Sequence, residues 1–233
     1  MKRLLLISNS VSFGKEYLDH CQDAITTFLG GTDSLLFLPF ASFDVDGYAS
    51  VVSKRFAKMG IQVTSLHTQQ DPKKAIKEAK AIFVGGGNTF RLLKKMYDLD
   101  LLDSMRNVVL NGTFYMGASA GVNLACPTIK TTNDMPIVFP QSFNALNIFP
   151  YQINPHYINA DPASKHQGET REERIKEFHQ ENTTPVIGLY ESAWIHVEDD
   201  VIQLGGANGA KVFLPGQTPK EYGPGEKIEI TNS

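Results

Sequence analysis

The chain has 233 residues, 42% of them apolar, which is enough to bury one large α/β core. Its 22 Lys and Arg nearly balance 25 Asp and Glu without any basic run, and this excludes a nucleic-acid partner held by charge. No apolar stretch is long enough to cross a bilayer, so a membrane partner is excluded as well.

The N-terminal run Met1-Lys2-Arg3-Leu4-Leu5-Leu6-Ile7 is cut off by Ser8-Asn9-Ser10, too soon for a signal peptide. It predicts a buried strand over residues 4–8. A helix over 15–29 and a strand over 34–39 follow. Residues 46–59 form an amphipathic helix stopped by Gly60. Next come a strand over 61–66, a short helix over 71–80 with Pro72 at its start, and a strand over 81–84 that runs into Gly85-Gly86-Gly87. Residues 90–109 are helical with a break near Asp100. A strand over 113–116 leads to Ser119 and a helix start at Ala120.

The second half is less regular. Residues 144–150 and 152–154 read as extended, and 171–180 as a helix. Short strands are expected over 185–190, 194–197, 201–204 and 211–214. The alternation of strand and helix predicts a doubly wound, mostly parallel sheet with helices on both faces. There is no internal repeat, low-complexity tract or linker, so one domain over 1–233 is expected. Cys21 and Cys126 form no CxxC pair, which suits two free thiols in a reducing cytoplasm. No His/Cys/Asp cluster has metal-ligand spacing, and neither a metal nor a cofactor is expected.

Gly117-Ala118-Ser119-Ala120-Gly121 matches the G-x-S-x-G nucleophile elbow. A strand that turns abruptly into a helix crowds the residue at the corner, and flanking glycines relieve that crowding. The turn lifts the Ser119 hydroxyl above the sheet and aims the first helical amides at the reacting group. Small residues also serve ordinary strand–helix packing. Gly85-Gly86-Gly87-Asn88-Thr89 lacks dinucleotide spacing and a P-loop lysine. It is a tight strand–helix turn whose amides are candidates for one half of an oxyanion hole, with Ala120 supplying the other. Both glycine-rich turns follow strands, so they should meet on one edge of the sheet.

A serine nucleophile needs a base. Among six histidines, His20, His67 and His179 have bland surroundings that suit surface roles, and His196 lies inside a strand pattern. His156 stands out because Asn154-Pro155-His156 ends a strand and proline fixes the backbone there. A structural histidine is the competing description. For the acid, Glu191 ends the apolar run Val186-Ile187-Gly188-Leu189-Tyr190, where a solvated loop residue is equally ordinary. Asp134, in Thr132-Asn133-Asp134-Met135-Pro136, is its rival.

Taken together these segments resemble peptidase E, the α-aspartyl dipeptidase family. The likeness is carried by Val84-Gly85-Gly86-Gly87-Asn88-Thr89-Phe90, Gly117-Ala118-Ser119-Ala120-Gly121, Ala125-Cys126-Pro127-Thr128-Ile129, Thr131-Thr132-Asn133-Asp134-Met135-Pro136-Ile137-Val138, Gln152-Ile153-Asn154-Pro155-His156 and Gly168-Glu169-Thr170-Arg171-Glu172-Glu173-Arg174-Ile175. It extends from the first strand to about Gly206. The resemblance implies a class I glutamine amidotransferase-like fold with serine in place of cysteine. It implies Ser119 as nucleophile, His156 as base, Glu191 as third member, and amides of Gly87 and Ala120 as the oxyanion hole. The implied reaction is metal-free hydrolysis of small peptides, namely dipeptides with an N-terminal aspartate.

Arg171 is the implied reader of the aspartyl side chain. Thr170-Arg171-Glu172-Glu173 fits a capping box, which puts Arg171 at the first helical position, where the helix dipole disfavours a cation. A solvated arginine on an exposed turn is the plainer description. One position departs from the family pattern: Ala118 stands where tryptophan is frequent, beside the nucleophile. Two rival functions remain, a cyanophycinase-like hydrolase of β-aspartyl-arginine polymer and a non-catalytic binding protein. The sequence leaves a homodimer open.

Overall fold

The computed structural model describes residues 1–12, 14–160 and 168–230, and His166 lies outside them. The first half alternates strand and helix: β1 (Arg3–Ile7), α1 (Gln22–Leu29), β2 (Ser34–Leu38), α2 (Val45–Ala57), β3 (Gln62–Ser65), α3 (Pro72–Glu78), β4 (Ala81–Val84), α4 (Thr89–Asp98), α5 (Leu102–Leu110), β5 (Phe114–Ala118) and α6 (Ala120–Ala125). The second half holds β6 (Gln152–Tyr157), α7 (Arg171–Glu181), β7 (Val186–Tyr190), β8 (Ala193–Glu198), β9 (Val201–Gly206), β10 (Ala210–Phe213) and β11 (Lys220–Tyr222).

Local chemistry sets the helix starts. The carboxylates of Asp44 and Asp71 accept the amides of Gly47 and Lys74 at 2.9 and 3.0 Å, which caps α2 and α3, and Pro72 occupies the first turn of α3. Asn88 caps α4 through the Arg91 amide at 3.0 Å. Asp100, with φ +51°, separates α4 from α5 as expected.

Seven strands form one sheet in the order β3-β2-β4-β5-β1-β8-β9. The five from β3 to β1 are parallel, and β8 and β9 add an antiparallel edge. Both faces are covered. Leu4, Leu6, Leu36, Leu38, Ile82 and Val84 point into a core with α4, α5 and α6, while Leu5, Ile7, Leu35, Phe37 and Phe83 point into another with α1 and α2. Burial of both faces makes the central strands continuous apolar runs rather than alternating ones.

Four differences from the sequence expectations have local causes. The expected helix over 15–29 is only α1 preceded by a 3-10 turn, because buried Leu18 takes a left-handed φ of +57° and donates its amide to Ser10. Residues 144–150 are not extended throughout, because Asn147 takes a left-handed φ of +49°. Ala145, Leu146, Ile148 and Phe149 are buried in the core, and the amides of Leu146 and Phe149 bond to carbonyls of α6. Strand β11 was not anticipated. Nor was a second sheet, of order β11-β10-β7-β6, which carries β6 and β7 away from the main sheet and packs Tyr157, Val186 and Phe213 against Ile175 of α7. Among the described residues, no helix is long and apolar enough to cross a membrane.

Candidate active site

Strands β4, β5 and β1 are neighbours, with Val84 opposite Gly117 and Ile7 opposite Ala118. Their C-terminal ends therefore deliver Gly85–Gly87, Ser119 and Ser8 to one edge, where sites form in parallel sheets. The two glycine-rich turns touch: a Cβ on Gly86 would sit 3.2 Å from the Ser119 Cβ. Gly117 and Gly121 cannot carry a side chain, since a Cβ on either would strike backbone, of Gly121 and Val84 respectively.

Ser119 sits at φ +52° and ψ −108°, a strained corner for a non-glycine residue. Its amide bonds to the Ile7 carbonyl at 3.0 Å, which locks the elbow onto β1. Its Oγ lies 2.8 Å from Nε2 of His156, and Nδ1 of His156 lies 3.1 Å from Oε1 of Glu191. A carboxylate only accepts, so Nδ1 carries the proton and Nε2 accepts the Ser119 hydroxyl. His156 also has a left-handed φ, +53°, at a register shift between Asn154 and Tyr157 that interrupts the β6–β7 pairing. Glu191 ends β7 on a turn whose carbonyl accepts from Asn208 Nδ2 at 2.6 Å. The imidazole is 36% and the carboxylate 56% exposed, so this pair orients the ring and adds little stability.

Asp134 is placed elsewhere. Its Oδ2 accepts from the Thr89 amide at 2.7 Å and the Thr89 hydroxyl at 2.6 Å, an anion at the start of α4. It braces the turn after Gly87 and makes no bond to His156.

Gly87 has φ +131°, and a Cβ there would lie 2.5 Å from the Ala41 carbonyl oxygen, which already takes the Asn88 amide at 2.9 Å. Among the described residues, nothing accepts the Gly87 N–H. Ala120 is the first residue of α6, so its N–H has no partner one turn back in the helix.

The capping box is present: the Thr170 hydroxyl accepts the Glu173 amide at 3.1 Å, and Glu173 accepts the Thr170 amide at 2.7 Å. Arg171 then starts α7 half-buried, with Nη1 2.6 Å from Oδ1 of Asn133. Asn133 also donates to the Pro155 carbonyl at 2.7 Å and accepts from Asn154 at 2.7 Å, which ties the guanidinium to the chain just before His156. No carboxylate among the described residues pairs with Arg171. Burial, and secondarily Arg174, pushes its pKa down. Asn133 is a residue the sequence argument passed over, although it adjoins Asp134.

The other described histidines, His20, His67, His179 and His196, stay outside the site and are partly buried. Both ring nitrogens of His20 are buried. His67 bridges Ser65 and Asp46 at 2.7 and 2.9 Å, and His179 meets the Thr184 carbonyl at 3.1 Å. His196 packs edge-on against Phe28. Ala118 is fully buried in the core beneath α1 and α2, so its methyl belongs to core packing. Both cysteines are free and buried, and burial pushes each thiol up to about 12, which removes them as nucleophiles. No group of three metal-binding side chains occurs among the described residues.

A doubly wound sheet with serine on a strand–helix elbow is the class I glutamine amidotransferase-like architecture. The chain belongs to peptidase family S51, whose sequence model matches residues 4–205. It is 48% identical over 225 residues to Peptidase E of Streptomyces coelicolor, covering 97% of this chain and 93% of that one. Peptidase E of a Nostoc species is 44% identical over 233 residues, covering 98% and 96%. The crystal structure of a peptidase from an acI-B1 actinobacterium superposes with a TM-score of 0.72 at 16% identity over 99% of this chain and 97% of that one, a likeness of fold. The chain is thus a serine-type peptidase.

Proposed function

We propose that this peptidase hydrolyses dipeptides with an N-terminal aspartate through an acyl-enzyme on Ser119. The observation that carries the proposal is the continuous hydrogen-bond chain Ser119–His156–Glu191 beside an arginine with no carboxylate partner among the described residues. Ser119 Oγ attacks the peptide carbonyl while Nε2 of His156 takes its proton. Glu191 holds the ring and stabilises the imidazolium. The oxyanion is received by the N–H groups of Gly87 and Ala120. His156 then protonates the leaving amine, and water repeats the sequence on the acyl-enzyme to release aspartate.

Arg171 is assigned to the aspartyl carboxylate. Guanidinium binds carboxylate through a paired fork, and partial burial strengthens that contact. Among the described residues its one side-chain bond is to Asn133, which leaves further N–H groups for substrate. The whole chain is proposed to act as one domain in the cytoplasm, where two free, buried thiols are at home. Arg171→Met should lower kcat/KM for Asp-Leu at least about tenfold, the loss of one charge-assisted contact. Labelling of Ser119 by a fluorophosphonate should persist. The test is a panel of Asp-Leu, Asn-Leu and β-aspartyl-arginine with parent and variant. An unchanged Asp-Leu to Asn-Leu ratio would assign aspartate recognition to another group, and preferential cleavage of β-aspartyl-arginine by the parent would overturn the dipeptidase proposal.

A further inference from the structure

The nucleophile and its partners stand on different sheets. Ser119 follows β5 of the seven-stranded sheet, whereas His156 and Glu191 lie on β6 and just after β7 of the four-stranded one. Contact between Ser119 and His156 requires the two sheets to keep a fixed offset. The segment immediately after β1 spans that gap. Ser8 is fully buried, and its Oγ accepts the His156 amide at 2.9 Å while donating to the Leu189 carbonyl at 2.9 Å. Its own amide bonds to the Ala193 carbonyl at 3.0 Å.

The next residue treats the acid's turn in the same way. Oδ1 of Asn9 accepts the Ser192 amide at 2.7 Å, and Nδ2 of Asn9 donates to the Val11 carbonyl at 2.8 Å and to Ser12 Oγ at 3.1 Å. Ser12 Oγ lies 2.7 Å from Ser192 Oγ. Asn9 is as buried as Ser8. Two residues at left-handed φ, His156 at +53° and Ser192 at +62°, thus each have their backbone amide held by a side chain from a single loop. Non-glycine residues persist in that region only when their surroundings over-determine them.

We propose that Ser8 and Asn9 are positioning residues that set the offset between the sheets, Ser8 by fixing the backbone of the base and Asn9 by fixing the turn of the acid. The proposal rests on Ser119, His156 and Glu191 acting as the triad. Neither side chain touches substrate in this scheme, so their loss should act on the chemical step and spare binding. Misplacement of a catalytic group by about 1 Å costs up to about a hundredfold in rate.

The experiment measures kcat and KM for Asp-Leu, and the rate of fluorophosphonate labelling, in Ser8→Ala, Ser8→Thr, Asn9→Ala and Asn9→Asp, with near-UV circular dichroism as the check on folding. Ser8→Ala and Asn9→Ala should lower kcat about 10- to 100-fold with KM within about twofold, and labelling should slow in parallel. Ser8→Thr keeps the hydroxyl and should recover most of the rate, whereas Asn9→Asp keeps the acceptor for the Ser192 amide but loses the donor to the Val11 carbonyl and should recover less. A folded Ser8→Ala protein with parental kcat and labelling rate overturns the proposal. If Ser8→Ala fails to fold, the Asn9 pair decides, and equal rates in Asn9→Ala and parent overturn it. A Ser119→Ala protein that is inactive beside an unimpaired Ser8→Ala protein removes the positioning role alone. An active Ser119→Ala protein removes the triad itself.

Discussion

Ser119→Ala is expected to fold like the parent and to hydrolyse Asp-Leu about 10³- to 10⁶-fold more slowly. The hydroxyl's hydrogen bond runs to His156, so its loss leaves no deeply buried donor or acceptor stranded. The elbow is held instead by the Ser119 amide on Ile7 and by the glycines that let β5 and α6 approach β4, none of which the substitution alters. The remaining rate would be what the proposed oxyanion amides of Gly87 and Ala120 and substrate binding supply without a nucleophile. Binding should survive, because Arg171 and Asn133 are untouched. A Kd for Asp-Leu near the parental KM, measured by calorimetry on the inactive protein, would show the two functions separated. Near-parental turnover in the folded variant would assign the chemistry to another group.

His156→Ala should lose nearly as much as Ser119→Ala, and the two losses should not add. Once the base is gone the hydroxyl is hardly more nucleophilic than water, so removing it changes little further. Glu191→Gln should cost less, about 10²-fold, because the carboxylate is 56% exposed and water can take part of its place on Nδ1. In a His156→Ala, Glu191→Ala double variant, the loss should match that of His156→Ala alone within a few-fold. A loss equal to the product of the single losses would contradict a triad. Asp134→Asn keeps an oxygen for the Thr89 amide and lies off the His156 ring, so it should stay within a few-fold of the parent. Were it worse than Glu191→Gln, Asp134 would become the orienting acid.

Much of this was written locally. The apolar runs of β1, β2 and β4, the Asp71-Pro72 start of α3, the break at Asp100 and the Thr170 capping box depend on neighbours a few residues apart, and each lies where the sequence puts it. The elbow is equally local: Gly117, Ser119 and Gly121 are fixed by how closely one strand and one helix must cross. What the sequence left open is long-range. The choice between Glu191 and Asp134 turns on a second sheet, and nothing near Glu191 signals that β7 leaves the main sheet. Asp134 lies closer in the chain to His156, yet its carboxylate is drawn to the start of α4. The polar run Ser8-Asn9-Ser10 looked like a mere strand end, because its partners His156 and Ser192 are about 150 and 180 residues away. Ala118 adjoins Ser119 in the chain, but side chains alternate along β5 and its methyl faces the helices.

The most direct test of Ser119 as the nucleophile is reaction of the intact protein with a fluorophosphonate, followed by peptide mass spectrometry. One adduct per chain should form, on Ser119, at a rate slowed by Asp-Leu and abolished in step with activity when His156 is replaced by Ala. A chain that cleaves Asp-Leu yet carries no adduct on Ser119, or carries it on another serine, would contradict the mechanism.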